Sequence, residues 1–510
     1  MNVRPEEQLA GSNERRSKHK HRTYAHYING RSVPPASGEY FTSYDPFNGE
    51  AWAEVARGTA VDVDIAVEAA RKAFPAWRAM TPTARGRLLL RLADLIEEKA
   101  EFLAEIEVRD NGKLFAEMSA QTRYMAGWYR YFGGLADKIE GSVVASDKVG
   151  HFNFTRHEPL GVIAMITPWN SPLLLLAWKL PAALAAGNTA VIKPSEFTSA
   201  STIEFMSLFK EAGFPDGVVN ALTGFGAEVG APLVAHKSIA KIAFTGSDES
   251  GQRIYEQAAR NLKPVSLELG GKSPNIVFED SKLDSAVMGV VSGIFAATGQ
   301  TCIAGSRLLV QRSIHDVFMD KLLAVAKGAR IGDPMDLATN VGPVTTPPQF
   351  EKVRTYIEIA RAEGARCVHG GGPVDVPGGT GNQFIAPTIF TGVDNSMRIA
   401  REEVFGPILS VIPFDDEEDA LRIANDSEFG LAAGVWTSDM GRMLRMSEAL
   451  EAGTVWVNTY RAVSFTSPFG GYKRSGLGRE SGMESIREFL QTKSVWVATQ
   501  MDVQNPFIIR

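Results

Sequence analysis

After residue 60 the N-terminal third of the chain follows a helical period. Leu88, Leu89, Leu92, Leu95, Ile96, Leu103 and Ile106 recur at spacings that place them on one face. Thr81-Pro82 gives this segment a start, an N-cap hydroxyl followed by proline in the first turn, and Asp110-Asn111-Gly112 gives it a left-handed end. One amphipathic helix packed on the core, without chemistry of its own, is predicted. From about residue 160 the texture changes to short β-rich runs alternating with helical ones. Gly161–Ile166 precedes a helix over Leu173–Ala186, Thr189–Ile192 precedes a helix over Ser201–Glu211, and Val218–Leu222 and Ile239–Phe244 follow. A second series runs from Pro274–Phe278 to Trp456-Val457. Such alternation predicts βαβ units and parallel sheets, an α/β fold. The glycine-rich stretch 368–381 has no helix after it and reads as a surface loop.

Composition narrows the class. With 510 residues the chain is too long for one compact core, so two or three domains are expected. A net charge of -6 gives no reason to expect a nucleic-acid or membrane partner. The one basic run, Arg15 to Arg22, reads as a disordered, solvated tail over residues 1–22. The apolar stretch after Leu173 is interrupted by Lys179, Pro181 and Gly187, too soon for a membrane span, and no secretory signal follows the tail. Two cysteines cannot build a disulfide framework and suit a reducing compartment, so cytoplasm is the expectation.

Five segments carry residues suited to chemistry. Cys302 stands in Gly299-Gln300-Thr301-Cys302-Ile303-Ala304-Gly305, where small neighbours let a substrate approach. Read alone it is a buried structural cysteine, the commoner fate of a single Cys and the reading given to Cys367. Glu268, inside the apolar run before Gly270-Gly271, is either a general base with a raised pKa or a salt-bridged strand end. Thr167-Pro168-Trp169-Asn170 is a stiff turn that holds Asn170 as an oxyanion donor or simply forms an Asx turn. The glycines after Leu222 and Phe244 are pyrophosphate loops or plain turns, and neither has the G-x-G-x-x-G spacing. Lys193-Pro194-Ser195-Glu196, read alone, is a solvated loop with a capping pair. No His/Cys cluster suggests a metal.

In this order and spacing, with Glu402 to Pro407 and Pro468 to Lys473 added, the segments resemble the NAD(P)-dependent aldehyde dehydrogenase superfamily, non-acylating type, from about residue 25 to 500. The resemblance implies a Rossmann-like NAD-binding domain (23–138 and 161–269), an α/β catalytic domain (270–482) and a small β oligomerisation arm (139–160 and 483–510). It makes Cys302 the nucleophile, Asn170 with the Cys302 N–H the oxyanion hole, and Glu268 the base for thioester hydrolysis. Lys179 and Glu480 would form a proton path behind it. The cofactor would lie against Ile166, Trp169, Lys193, Ser195, Glu196, Gly226, Phe244, Gly246, Ser247, Leu269, Gln349, Glu403 and Phe405. Glu196 would repel a 2′-phosphate, favouring NAD, although Lys193 and Ser195 leave NADP possible. Asp248 stands where many relatives have Thr, an added carboxylate near the phosphates.

The substrate is a small-molecule aldehyde, in a tunnel that the resemblance lines with Tyr124, Trp128, Leu174, Leu175, Trp178, Thr301, Ile303 and Val463. Ser171 replaces a bulkier residue common in relatives, and Arg461 at the mouth either selects substrates with a distal carboxylate or is a rim arginine or inter-subunit pair. The family implies a homodimer or homotetramer. A catalytically silent homologue and a cofactor-free cysteine hydrolase are the competing readings. The intact Cys302, Glu268 and Asn170 set argues against the first, and cofactor reduction on aldehyde addition separates all three.

Overall fold

The computed structural model describes residues 22–499 together with Asn505 and Phe507. The basic run from Arg15 lies outside the described residues except for Arg22, which opens the strand Arg22–Tyr24 and is therefore no part of a tail. The four β-rich runs of the first series and the apolar run ending at Glu268 become one parallel sheet. Its strands stand in the order Val265–Glu268, Ile239–Thr245, Val162–Ile166, Thr189–Lys193 and Val219–Ala221. Antiparallel strands complete its two edges, Gly476–Leu477 on one side and His26–Ile28 with Arg31–Val33 on the other. Ile166, Lys193, Thr245 and Glu268 are the last residues of four adjacent parallel strands, so one sheet end gathers them. That is the end at which open α/β sheets place their ligands.

The second series forms a seven-stranded sheet centred on Arg307–Gln311 and Pro274–Val277, parallel except at the edge strand Arg366–His369. This edge strand corrects the surface-loop reading of its first residues; the period-2 signal there is too short to stand out from the glycines. A third sheet pairs Leu490–Ala498 with His151–Pro159 along its length and adds Val143–Val144.

Two expected helices are each broken in two. Thr81 caps Pro82–Glu98 as expected, but the helix stops at Lys99 (φ -103°, ψ 9°) and restarts as Ala100–Asn111, closed by left-handed Gly112. The apolar face keeps its phase across the break, which hides it from periodicity. The segment after Ser171 splits into Pro172–Ala177 and Leu180–Ala186, because Pro181 cannot donate to a continuing helix and restricts the residue before it. The interruption falls on Lys179, whose side chain is thereby turned into the core.

Candidate active site

Cys302 lies between the helix Leu283–Phe295 and the strand Arg307–Gln311, on a loop of unusual backbone. Ala297, Thr298 and Gly299 take positive φ in succession (53°, 55° and 68°), and each such non-glycine residue costs about 1–3 kcal/mol. Side chains hold the loop there. Glu117 Oε1 accepts from Ala297 N at 3.1 Å, Thr298 Oγ1 donates to Gly342 O at 3.1 Å, and Gln300 Oε1 accepts from Thr345 N at 2.8 Å. Gly299 is required, since a Cβ there would stand 2.1 Å from Gly406 O. Gly271 packs as tightly beneath the nucleophile, its Cβ position 2.6 Å from Cys302 O.

The loop points Cys302 into a cavity of about 120 Å³ lined also by Trp169, Asn170, Leu175, Gly246, Ser247, Leu269, Gln349, Lys352, Glu403 and Phe405. Asn170 donates one amide hydrogen to Gln300 O at 2.9 Å, which fixes its orientation and leaves the second hydrogen for a ligand. Burial, then the Glu403 and Glu268 carboxylates, push the Cys302 thiol up to about 12, while the Cys302 and Ile303 N–H groups favour its thiolate.

Glu268 is 4 % exposed and neither of its oxygens has a hydrogen-bond partner in the protein among the described residues. Burial, reinforced by Glu480, pushes its carboxyl well above the usual range; Lys179 and Arg479 oppose the shift. Gly470 leaves it room, since a Cβ there would lie 2.9 Å from Glu268 Oε1. Behind it Lys179 Nζ donates to both Glu480 and Thr245, all three buried. Burial also raises the Glu480 carboxyl, against the pull of Lys179.

The cofactor-side residues divide into two groups. Glu403 Oε1 accepts from Gly271 N at 2.9 Å, Phe405 (φ 59°) packs edge-on against Trp169 at 5.3 Å, and Gln349 Nε2 donates to Val404 O and Phe405 O. These line the Cys302 cavity. The others lie at the sheet end: Ile166 and Lys193 end strands, Phe244 precedes the last residue of its strand, and Lys193 Nζ pairs with Glu196 at 3.2 Å. Ser195 Oγ accepts from Phe197 N at 3.3 Å. Ser247 caps the helix Asp248–Ala259, a setting for a phosphate, and a Cβ on Gly226 would meet nothing within 4 Å. An open glycine, a capped helix start and a carboxylate–ammonium pair along one sheet end fit an extended dinucleotide. Asp248 is turned to Arg474 at 2.8 Å, which settles where its carboxylate goes. A cavity of about 670 Å³ adjoins Glu196, walled by Phe41, Phe225 and Pro347.

On the substrate side Tyr124 Oη donates to Val463 O at 3.1 Å, and Trp128 stacks on Trp178 with centroids 6.1 Å apart. Trp128 is fully buried, its Nε1 donating to Ser481 Oγ at 2.8 Å, so it stands as backing to Trp178. Leu174 and Thr301 are half-buried, and Ile303 gives its carbonyl to Tyr460 Oη at 3.1 Å. Arg461 is half-buried with φ 64° and, among the described residues, its side chain donates only to Ser292 O, at 3.3 Å. The sequence reading missed Lys352 and Lys113. Lys352 lines the Cys302 cavity, and its position one helical turn after Gln349 was the available signal. Lys113, buried against Ser171, had no signal in its own segment.

Comparison with known proteins agrees with this geometry. The aldehyde dehydrogenase family model matches residues 33–495. The (Z)-2-((N-methylformamido)methylene)-5-hydroxybutyrolactone dehydrogenase of Acinetobacter baylyi is 45% identical, covering 95% of this chain and 99% of that one. Human retinal dehydrogenase 2 is also 45% identical, with 92% and 91% covered. The structure of betaine aldehyde dehydrogenase from Staphylococcus aureus in complex with NAD+ superposes with a TM-score of 0.96 at 39% identity, covering 98% of this chain and 100% of that one. The cavity around Cys302, the sheet end that adjoins it and these matches along the chain lead to one conclusion: the protein belongs to the aldehyde dehydrogenase family.

Proposed function

We propose that the chain oxidises an aldehyde to the carboxylic acid with NAD(P), through a covalent acyl group on Cys302. The observation that carries this reading is one cavity holding Cys302 and Asn170 beside the cofactor-side residues, with an unpartnered Glu268 behind it. As the Cys302 thiol gives up its proton to solvent, the sulfur bonds to the aldehyde carbon and the carbonyl electron pair moves to oxygen. The free Asn170 N–H and the Cys302 N–H stabilise that oxygen. Trp169, Gln349, Glu403 and Phe405 would hold the nicotinamide end, and Lys193, Glu196, Gly226 and Ser247 the adenosine and phosphates. When bound, the nicotinamide supplies the two-electron acceptor that leaves a thioester on Cys302.

Glu268 then takes a proton from water as the water oxygen bonds to the acyl carbon. The C–S bond breaks, releasing the acid and restoring Cys302. Glu480 raises the proton affinity of Glu268 and Lys179 lowers it, so this pair tunes the base and receives its proton. A base reserved for water supports a free acid as product. Glu196, whose carboxylate would oppose a 2′-phosphate, supports NAD as the preferred cofactor. The arm, with exposed Phe152, Trp496 and Val497 and an open edge at Leu490–Ala498, supports self-association as a dimer or tetramer.

A panel of aldehydes with NAD or NADP, followed by absorbance of the reduced cofactor, tests this. Reduction is expected with at least one aldehyde and is expected to vanish, by at least about 10⁴-fold, in Cys302→Ala. Retention in that variant would overturn the mechanism.

A further inference from the structure

Against Ser171, next in the chain to Asn170 and within electrostatic range of Cys302, lies a buried ammonium that the reaction above leaves unused. Lys113 follows the left-handed Gly112 and its side chain turns inward, 3 % exposed. Its Nζ donates to Ser171 Oγ at 2.8 Å and to no other group among the described residues, so two of its three N–H donors are free. A buried charge without a paired carboxylate is costly, and proteins keep one where a ligand completes it. Ser171 is the residue after Asn170 and also lies 3.2 Å from Gln121 Oε1. Gln121 shares a face of the helix Phe115–Leu135 with Glu117, Tyr124 and Trp128, which connects Lys113 to the tunnel wall and, through exposed Tyr124, to solvent.

The charges nearby point the same way. Burial pushes the Lys113 amine down to about 8, Glu117 and Glu107 oppose that shift, and Arg461 adds to it as a second cation in range. Burial pushes the Glu107 carboxyl up, against the pull of Lys113. Glu117 spends one oxygen on Ala297 N. Arg461 has no carboxylate partner among the described residues. Lys113 and Arg461 are therefore two neighbouring cations without an ion-pair partner among the described residues.

We propose that Lys113, presented by Ser171 and assisted by Arg461 at the mouth, anchors a carboxylate at the far end of the aldehyde substrate. The preferred substrates are then ω-oxo acids. This rests on the aldehyde-oxidising reading above. The carboxylate accepts from the two free Lys113 N–H groups while the aldehyde carbon meets Cys302; a neutral aldehyde leaves those donors empty.

The test compares 5-oxopentanoate with pentanal in wild type, Lys113→Met, Lys113→Arg, Ser171→Phe and Arg461→Ala. In Lys113→Met the ratio of kcat/KM for 5-oxopentanoate over pentanal is expected to fall by about 30-fold, through KM for the acid, as for loss of a charged hydrogen bond. Lys113→Arg is expected to restore part of it, and Arg461→Ala to lower the ratio by about 5-fold. Ser171→Phe keeps the lysine but removes the hydroxyl that presents it and sets a bulky ring beside it, and lowers the same ratio even if Lys113→Met folds poorly. Equal losses for both substrates would assign Lys113 to the fold or to the Cys302 thiolate and overturn the proposal, as would an unchanged ratio in either Lys113→Met or Ser171→Phe. If wild type oxidises neither aldehyde, the aldehyde-oxidising reading fails for these substrates. Calorimetric binding of glutarate then decides the anchor by itself: binding lost in Lys113→Met supports it, and equal or absent binding in wild type overturns it.

Discussion

Glu268 and Glu480 are the same side chain at the same burial, 4 % exposed, in two regions that treat them differently. Glu480 is bonded to Lys179, which the helix break before Pro181 turns into the core, and its backbone bridges to Phe469. Glu268 ends a parallel strand with both oxygens unbonded, facing the space that Gly470 leaves. An acid tied to a buried ammonium contributes to the fold and to the local field. An acid buried without a partner weakens the fold, and its free oxygens are available to a water. The contrast separates an acid held in an ion pair, which acts through the base it tunes, from one left free to meet water, and it can be tested from both sides.

The largest expected effect is on Glu268. Glu268→Gln should lower kcat by about 10²–10³-fold without lowering the midpoint of unfolding, because no hydrogen bond is lost. The pH dependence carries a sign. The folded carboxyl holds its proton above the ordinary range, so the folded state binds more protons than the unfolded chain. Stability contributed by neutral Glu268 is then full at acid pH and is lost as pH rises from the usual carboxylate range through the raised value. In Glu268→Gln that part of the slope should disappear from unfolding curves taken across pH, and the rise of kcat with pH should flatten with it.

The converse holds for the pair. Lys179→Met leaves Glu480 buried and unpaired, and should destabilise the protein by about 3–5 kcal/mol in chemical unfolding, with a smaller effect on kcat than Glu268→Gln has. A stable Lys179→Met with kcat reduced as far as in Glu268→Gln would dissolve the distinction between the two acids. The smallest effect lies away from both. Glu196→Gln should shift the ratio of KM for NADP over NAD by about 10-fold toward NADP, read from cofactor titrations at fixed aldehyde. An unmoved ratio would remove Glu196 from cofactor choice.

The two acids also differ in how far the sequence displays them. Glu268 is legible because its apolar strand and the glycines after it are its neighbours in the chain, as the small residues around Cys302 are its own. Lys179 and Glu480 are 301 positions apart, and only resemblance joined them. Asp248 looked unfavourable beside phosphates until Arg474, 226 positions away, supplied its partner. Lys113 stayed invisible because the one acceptor of its ammonium among the described residues is 58 positions on. The parallel strands were legible as apolar runs between helical ones. The break at Lys99 was not, since the apolar face continues in phase across it; the one at Lys179 had Pro181 as its signal.

The measurement that goes most directly to the chemistry is peptide mapping by mass spectrometry after rapid acid quench of Glu268→Gln, mixed with an aldehyde that wild type turns over and with NAD. The expected result is an acyl mass on the peptide bearing Cys302 and on no other, formed with about one reduced cofactor per site. Carboxylic acid released at the wild-type rate with Cys302 unmodified, or an acyl group on another residue, would contradict it.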